Sequence, residues 1–225
     1  MQPWSKSLPA SHGDSLQDFL SAQRATTRHF SLCTEYAKDM QLPFNEVKTT
    51  QAASRFLQLA GGKLNYMVLI KLLYMLDRTT LLSWGRPVTG DEYYSMKLGP
   101  VLSETRELIT EMPGDRNYWS SYISAPNNYS VEAIKDPGAD ALSEAEEEII
   151  QQVFTEYGRY NAKPFDLVEL LHKKLPEWTE VTSGRVSLPY HDILKAGGLP
   201  EEQISIVEKE LDSLGQDYKV FSARE

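Results

Sequence analysis

Residues Asn65–Leu82, with the sequence NYMVLIKLLYMLDRTTLL, decide the fold of this chain. Apolar side chains occupy nearly every face of a helix drawn through them, which is typical of a helix buried on all sides. The longest strongly apolar run, Met67–Leu76, is interrupted by Lys71. At roughly 10 residues it is far shorter than the ~20 that span a bilayer. We therefore predict a buried central helix.

Patterns on both sides of this stretch predict a mainly α fold of the α+β class. We expect about eight helices around the long central helix, with one small β-hairpin. The hairpin is predicted near 118–134, where polar and apolar residues alternate around Pro126-Asn127-Asn128. Gly99-Pro100-Val101 is expected to begin a helix, because proline suits the first helical turn. Ser143 and Glu146 have the spacing of a capping box at the start of another helix.

Turn residues divide the chain into three expected segments. Residues 1–48 form an N-terminal extension, which is flexible at first and then helical to about Met40. Residues 49–199 form the helical domain, and residues 200–225 form an amphipathic helix and tail. Residues at helical spacing give the extension helix an apolar face: Phe30, Cys33, Ala37 and Met40.

The N-terminus and the cysteine content predict a cellular compartment. No basic region followed by an apolar stretch occurs at the N-terminus, so we expect no export signal. The single cysteine, Cys33, cannot form an internal disulfide. Both observations favour the reducing cytoplasm.

The net charge of −9 is concentrated in the last part of the chain. Residues 1–135 hold 14 Lys and Arg against 13 Asp and Glu, a net of +1, whereas residues 136–225 hold 9 against 19, a net of −10. This acidic excess is either a solubilising surface or a face that attracts a basic partner. No basic stripe occurs, so direct DNA binding is not expected. A local acidic run consists of Glu144, Glu146, Glu147 and Glu148.

Motifs that would indicate catalysis or a cofactor are not found. The sequence has no zinc motif, no complete phosphate-binding loop and no nucleophile elbow, so we predict no catalytic, metal or cofactor site. His172 lies in an otherwise apolar helix, where a hydrogen-bonded core histidine is the usual arrangement. The alternative is an acid/base enzyme that uses Asp77, Asp91 and His172. That alternative requires the three groups to converge on one solvent-accessible cleft.

Aromatic residues in the loop and hairpin segments are candidates for a partner-binding surface. Tyrosine and tryptophan are enriched at protein interfaces because they combine a large apolar body with a polar tip. The candidates are Tyr93, Tyr94, Tyr118, Trp119, Tyr122 and Tyr129. Phe30, Ala37 and Met40 of the extension helix are added to them, either for insertion into a groove of a partner or for pairing two copies of the chain.

Four short motifs occur in an order that resembles a known family. They are Lys71-Leu72-Leu73-Tyr74, Gly85-Arg86-Pro87-Val88-Thr89-Gly90-Asp91, Lys97-Leu98-Gly99-Pro100-Val101, and Leu170-Leu171-His172 with Pro176-Glu177-Trp178. Their order and spacing resemble the SocA-like antitoxin family, whose shared unit is the Panacea domain and which includes phage-associated GepA-like proteins. The resemblance covers roughly Gln51 to Pro200.

This resemblance implies a helical antitoxin domain that neutralises toxins of bacterial or phage toxin–antitoxin pairs by direct binding, without enzymatic activity. The implied partner is a cognate protein toxin, and the acidic excess of residues 136–225 predicts that its surface is basic. An adaptor or assembly protein of a phage or mobile element is the alternative. The resemblance also implies a set of residues whose roles are expected to be structural: Lys71, Tyr74, Asp77, Gly85, Asp91, Gly99, Pro100, Val101, His172 and Trp178.

Overall fold

The computed structural model describes residues 42–111 and 118–222, with side chains as far as Tyr218. The chain divides into two units, Met1–Asp39 and Met40–Glu225, and the described residues belong to the second. The predicted extension helix lies outside the described residues, and so does its apolar face of Phe30, Cys33, Ala37 and Met40.

The described ranges contain seven α-helices, five short strands and two 3₁₀ helices. The helices are α1 Glu46–Leu59, α2 Tyr66–Trp84, α3 Ser103–Thr110, α4 Glu144–Tyr157, α5 Pro164–Lys174, α6 Tyr190–Ala196 and α7 Glu201–Ser222. The strands are β1 Lys63–Asn65, β2 Tyr93–Met96, β3 Gly99–Leu102, β4 Ser130–Glu132 and β5 Val186–Ser187. The 3₁₀ helices are Trp119–Ser121 and Gly158–Ala162. The prediction of a mainly α fold with a small β component is confirmed.

Helix α2 is the centre of the fold, as predicted. The Asn65 side chain caps its start by accepting from the Met67 amide at 2.9 Å. Gly85 ends it in the left-handed conformation, with a φ of 72°. Helices α1, α3, α4, α5 and α6 and strand β3 all contact α2. None of the helices in the described ranges is long and apolar enough to cross a membrane.

Helices α1 and α4 pack together, and a partly buried ion pair joins their starts. The capping box predicted at Ser143 and Glu146 is confirmed, with each side chain bonded to the backbone amide of the other residue. The Lys48 ammonium also donates to the Glu146 carboxylate at 2.7 Å. Glu146 is 6% exposed, so it fixes the start of α4 and is not part of an acidic surface.

The best-formed hairpin is the pair β2–β3, in which Tyr93 lies opposite Leu102 and Met96 lies opposite Gly99. The prediction that Gly99-Pro100-Val101 begins a helix is therefore wrong, since α3 begins at Ser103. Gly99 has a φ of +93°, which turns the chain back on itself instead of starting a helix. Strand β5 pairs with the other side of β2.

The segment 118–134 forms only part of the predicted hairpin. Its first arm contains the 3₁₀ helix Trp119–Ser121, while β4 pairs with β1, where Leu64 lies opposite Val131. Two bridges of the predicted pairing are present, one between Ile123 and Ala133 and one between Asn127 and Ser130. The physical reason is the burial of the Trp119 side chain, together with the donation of its backbone N–H to the Glu46 carboxylate of α1 at 2.9 Å.

Candidate functional site

One face of α2 carries polar residues into the core. Lys71, Tyr74 and Asp77 recur at three-residue steps, and Arg78 follows. Lys71, Tyr74 and Asp77 are at most 2% exposed. A buried polar group is costly unless it has a hydrogen-bond partner. Each of these side chains binds a different segment of the chain, and together they define a buried polar network.

Asp77 holds the loop that follows α2. Its carboxylate accepts hydrogen bonds from the amides of Val88 and Thr89 at 2.8 and 3.0 Å, from the Thr89 hydroxyl, and from the Tyr93 hydroxyl at 2.9 Å. Burial raises the pKa of Asp77 to about 6, while these donors favour the ionised form and oppose the shift. The Asp77 carboxylate is the acceptor in all four hydrogen bonds, and it thereby holds the loop against α2.

Asp91 holds the start of α3. Its carboxylate accepts from the amides of Glu104 and Thr105 at 2.9 and 2.8 Å, and from the Thr105 hydroxyl at 2.7 Å. These amides have no partner within the helix, so the carboxylate satisfies donors that would otherwise be unbonded. Burial raises the pKa of Asp91 to about 7.

Lys71 holds the hairpin β2–β3. Its ammonium donates to the Pro100 carbonyl at 2.6 Å. No carboxylate of the described residues forms an ion pair with it. Burial without a counter-ion lowers the pKa of Lys71 to about 7. A Cβ atom at Gly99 would lie 3.1 Å from the Lys71 nitrogen and would crowd it, and the positive φ of this residue also favours glycine.

His172 and Trp178 close the other side of the hairpin. Their rings stack at 3.7 Å with an interplanar angle of 4°, and the Trp178 indole donates to the Met96 carbonyl at 3.0 Å. The His172 Nε2 atom is buried without a hydrogen-bond partner among the described residues. Burial, and then the charge of Lys71, lower the pKa of His172. The neutral ring therefore packs as an aromatic surface.

A buried carboxylate that we did not predict joins the network. Glu177 accepts from the Tyr74 hydroxyl at 2.9 Å and from Arg78 Nε at 2.6 Å. Glu177 lies inside the Pro176-Glu177-Trp178 motif, and Arg78 adjoins Asp77. Their positions were therefore visible in the sequence, but only the fold shows that they pair. Thr89, which bonds to Asp77, lies inside the motif Gly85–Asp91, whereas Thr105, which bonds to Asp91, lies outside all four motifs.

The three groups of the acid/base hypothesis are not brought to one open cleft. Asp77 and Asp91 are fully buried, and their oxygens bind backbone amides and hydroxyl groups. His172 lies instead beside Gly99 and Trp178. In residues 42–111 and 118–222, no group of three His, Cys, Asp or Glu side chains could hold a metal ion.

The polar network lies within the part of the chain that matches a family model. Residues 69–179 match the family model described as Antitoxin SocA-like, Panacea domain. These residues are a Panacea domain. The match includes every residue of the network, from Lys71 to Trp178. No curated protein and no solved structure matches the chain. The family supports an antitoxin-type role and, in general, a protein toxin as partner.

Other residues of the family pattern also have structural positions in the Panacea domain. Gly85 ends α2, and a Cβ atom there would lie 3.4 Å from the Val207 side chain of α7. Val101 lies in β3 opposite Tyr94 and is 9% exposed. The family pattern therefore marks mostly the residues that fix the loops and the hairpin to α2.

The candidate partner-binding aromatics of the Panacea domain differ in exposure. Tyr93 and Trp119 are 3% and 0% exposed, so proposing them as surface contacts was wrong. The reason is that each completes the core, and the Tyr93 hydroxyl also binds Asp77. Tyr94 is half-buried and lies under the Arg185 guanidinium, 4.2 Å from its ring centroid. The ring of Tyr129 is 72% exposed.

Tyr118 and Tyr122 lie together on the surface. Both are half-buried, and their ring centroids are 4.7 Å apart. The Lys135 ammonium is 4.7 Å from the Tyr122 ring.

Of the acidic run, Glu144 and Glu148 are exposed, whereas Glu147 pairs with Arg55 at 3.2 Å.

Gly99→Ala tests the crowding between the hairpin and Lys71. We expect it to lower the free energy of unfolding by at least ~1 kcal/mol more than Gly184→Ala does. Both glycines have a positive φ, at +93° and +77°, but a Cβ atom at Gly184 has no neighbour within 4 Å. The control therefore measures the backbone strain alone, about 1–2 kcal/mol. Urea unfolding of both variants gives the comparison, and equal losses would contradict the crowding.

Proposed function

We propose that the chain is the antitoxin of a bacterial or phage toxin–antitoxin pair and that it neutralises its cognate toxin by direct binding. The observation that carries this proposal is the match of residues 69–179 to the SocA-like antitoxin family. The polar network supports it as well, because its side chains bind other parts of the same domain. On this proposal the chain acts through its surface.

Neutralisation by binding requires enough buried area to cover the active surface of the toxin. A standard interface buries about 800 Å² on each partner. The net charge of −10 in residues 136–225 would attract a basic toxin and speed the encounter. Glu144 and Glu148 are exposed on α4 and available for this steering. Contacts from the N-terminal extension, or its pairing with a second copy, stay predictions.

Co-expression tests the proposal. The chain is expected to restore the growth of cells that express a small toxic reading frame adjacent to its own gene, and the two proteins are expected to purify together. A variant of the chain that is as stable as the wild type and does not bind should fail to restore growth. If neither rescue nor co-purification occurs, the antitoxin proposal is wrong. Co-purification without rescue would instead identify an adaptor or assembly protein.

A further inference from the structure

The turn between residues 127 and 130 holds a tyrosine in an unfavourable backbone conformation. Asn128 and Tyr129 have φ angles of 49° and 61°. The Asn127 and Ser130 amides donate to each other's carbonyl groups at 2.8 and 3.0 Å. Two consecutive positive φ angles are typical of the type I′ hairpin turn, which favours Asn-Gly. Tyr129 occupies the position that glycine would fill without strain.

The ring of Tyr129 contributes little to the fold. It is 72% exposed, the highest exposure among the large hydrophobic side chains of the described residues. Among the described residues, its one aromatic neighbour is Tyr66, with ring centroids 6.3 Å apart and an interplanar angle of 34°. The structural contact of the residue is made by its backbone, because its carbonyl accepts from the Tyr66 amide at 2.9 Å. A strained residue with a dispensable side chain points to a role outside folding.

Strand addition at the neighbouring edge of β1 is blocked. The Asn161 side chain accepts from the Asn65 amide at 2.8 Å and donates to the Lys63 carbonyl at 3.3 Å. These are the groups that an added strand would need. A partner that reaches this part of the surface must therefore bind side chains, and the exposed ring of Tyr129, with Tyr66 beside it, offers one such contact.

Other tyrosines of the chain indicate which kind of side chain a protein partner would place against Tyr66 and Tyr129. Four of them have a cation of the chain itself over the ring: Tyr94 with Arg185, Tyr122 with Lys135, Tyr157 with Lys174 and Tyr160 with Arg159. No cation of residues 42–111 or 118–218 lies over Tyr66 or Tyr129 in this way. A tyrosine face attracts guanidinium and ammonium groups through its quadrupole.

We propose that the pair Tyr66–Tyr129 receives an arginine or lysine side chain of the protein partner. The inference rests on the proposed function, since it names the surface by which the antitoxin binds its toxin. The net charge of −10 in residues 136–225 complements a basic partner, and the two tyrosines precede that segment. Exposed rings at the centre of an interface often carry much of the binding energy.

A titration with small probes tests the site without any toxin. N-acetyl-arginine amide is added to the full chain, and the Tyr66 and Tyr129 ring signals are followed by NMR. N-acetyl-citrulline amide, a neutral analogue of the same shape, is the control. Arginine is expected to bind roughly 2- to 5-fold more tightly than citrulline, the ratio expected for an exposed cation–π contact. Equal shifts from both probes, or no shift of Tyr129, would overturn the inference.

Variants in the co-expression assay test the site with the toxin. Tyr129→Asn is expected to keep or raise the melting temperature, because asparagine tolerates a positive φ, and to weaken toxin binding at least ~10-fold. Tyr129→Phe keeps the ring face and should bind like the wild type. Phe165→Gln is the matched control, since Phe165 is 63% exposed on α5. Unchanged binding by Tyr129→Asn refutes the inference. Failure of the wild type to bind refutes the proposed function, and the probe titration still decides the site.

Discussion

Asp77→Asn is expected to lower the free energy of unfolding by about 2–4 kcal/mol. The Asp77 carboxylate accepts four hydrogen bonds, from the amides of Val88 and Thr89 and the hydroxyls of Thr89 and Tyr93. An amide group at this position has only one acceptor oxygen. Its NH₂ group would face donors, so at least one buried donor would lose its partner. Urea unfolding at neutral pH measures the loss.

Asp217→Asn is the control for this substitution. Asp217 is exposed on α7, and a surface change of this kind is expected to alter stability by less than about 0.5 kcal/mol. Asp77→Asn should also release the loop that follows α2, which would appear as faster amide exchange at Val88 and Thr89. An Asp77→Asn protein as stable as the control would show that the carboxylate is not what fixes this loop.

Lys71→Met is expected to stabilise the protein at pH 7 by roughly 1–3 kcal/mol. The Lys71 ammonium is buried without a carboxylate partner, and methionine has a similar length and no charge. The loss of the hydrogen bond to the Pro100 carbonyl offsets part of the gain. A substitution that removes a buried charge and improves stability is unusual among point mutations.

The pH dependence of the free energy of unfolding tests whether the buried Lys71 ammonium is the cause of this gain. The pKa of Lys71 is about 7 in the folded protein, against 10.5 when it is unperturbed. Between these values the unfolded chain binds more protons than the folded chain, so the wild type gains stability as the pH rises from 7 towards 10.5. Lys71→Met should lack this gain. Lys97→Met, on the exposed turn of the hairpin, should keep it. A wild type and a Lys71→Met variant with parallel pH profiles would refute the assignment.

The elements that the sequence predicted well depend on local signals. Helix α2 follows from its apolar surface, and the start of α4 follows from Ser143 and Glu146, which interact over three positions. The hairpin β2–β3 was not predicted, because Gly99-Pro100 fits a turn and a helix start equally well. The choice between them depends on distant contacts, such as the pairing of Ser187 in β5 with Tyr94 in β2.

The candidate site shows the same division between local and distant contacts. The residues of the polar network were identified through the family resemblance, but their partners Glu177, Thr89 and Thr105 were not. Trp119 was predicted as a surface aromatic because a loop tryptophan fits an interface and a core equally well. Its backbone N–H donates to Glu46, 73 positions away. Neither a hydrophobic periodicity nor a capping motif in the sequence predicts a contact over that distance.

Glu177 has a consequence for how the protein is made. It binds Tyr74 and Arg78, which precede it by 103 and 99 positions. While the ribosome is still synthesising the middle of the chain, Tyr74 and Arg78 have no carboxylate to pair with. The long central helix therefore emerges before the carboxylate that pairs with two of its polar side chains. Contacts this distant also slow folding. A newly made copy is expected to complete this contact only after Glu177 has left the ribosome.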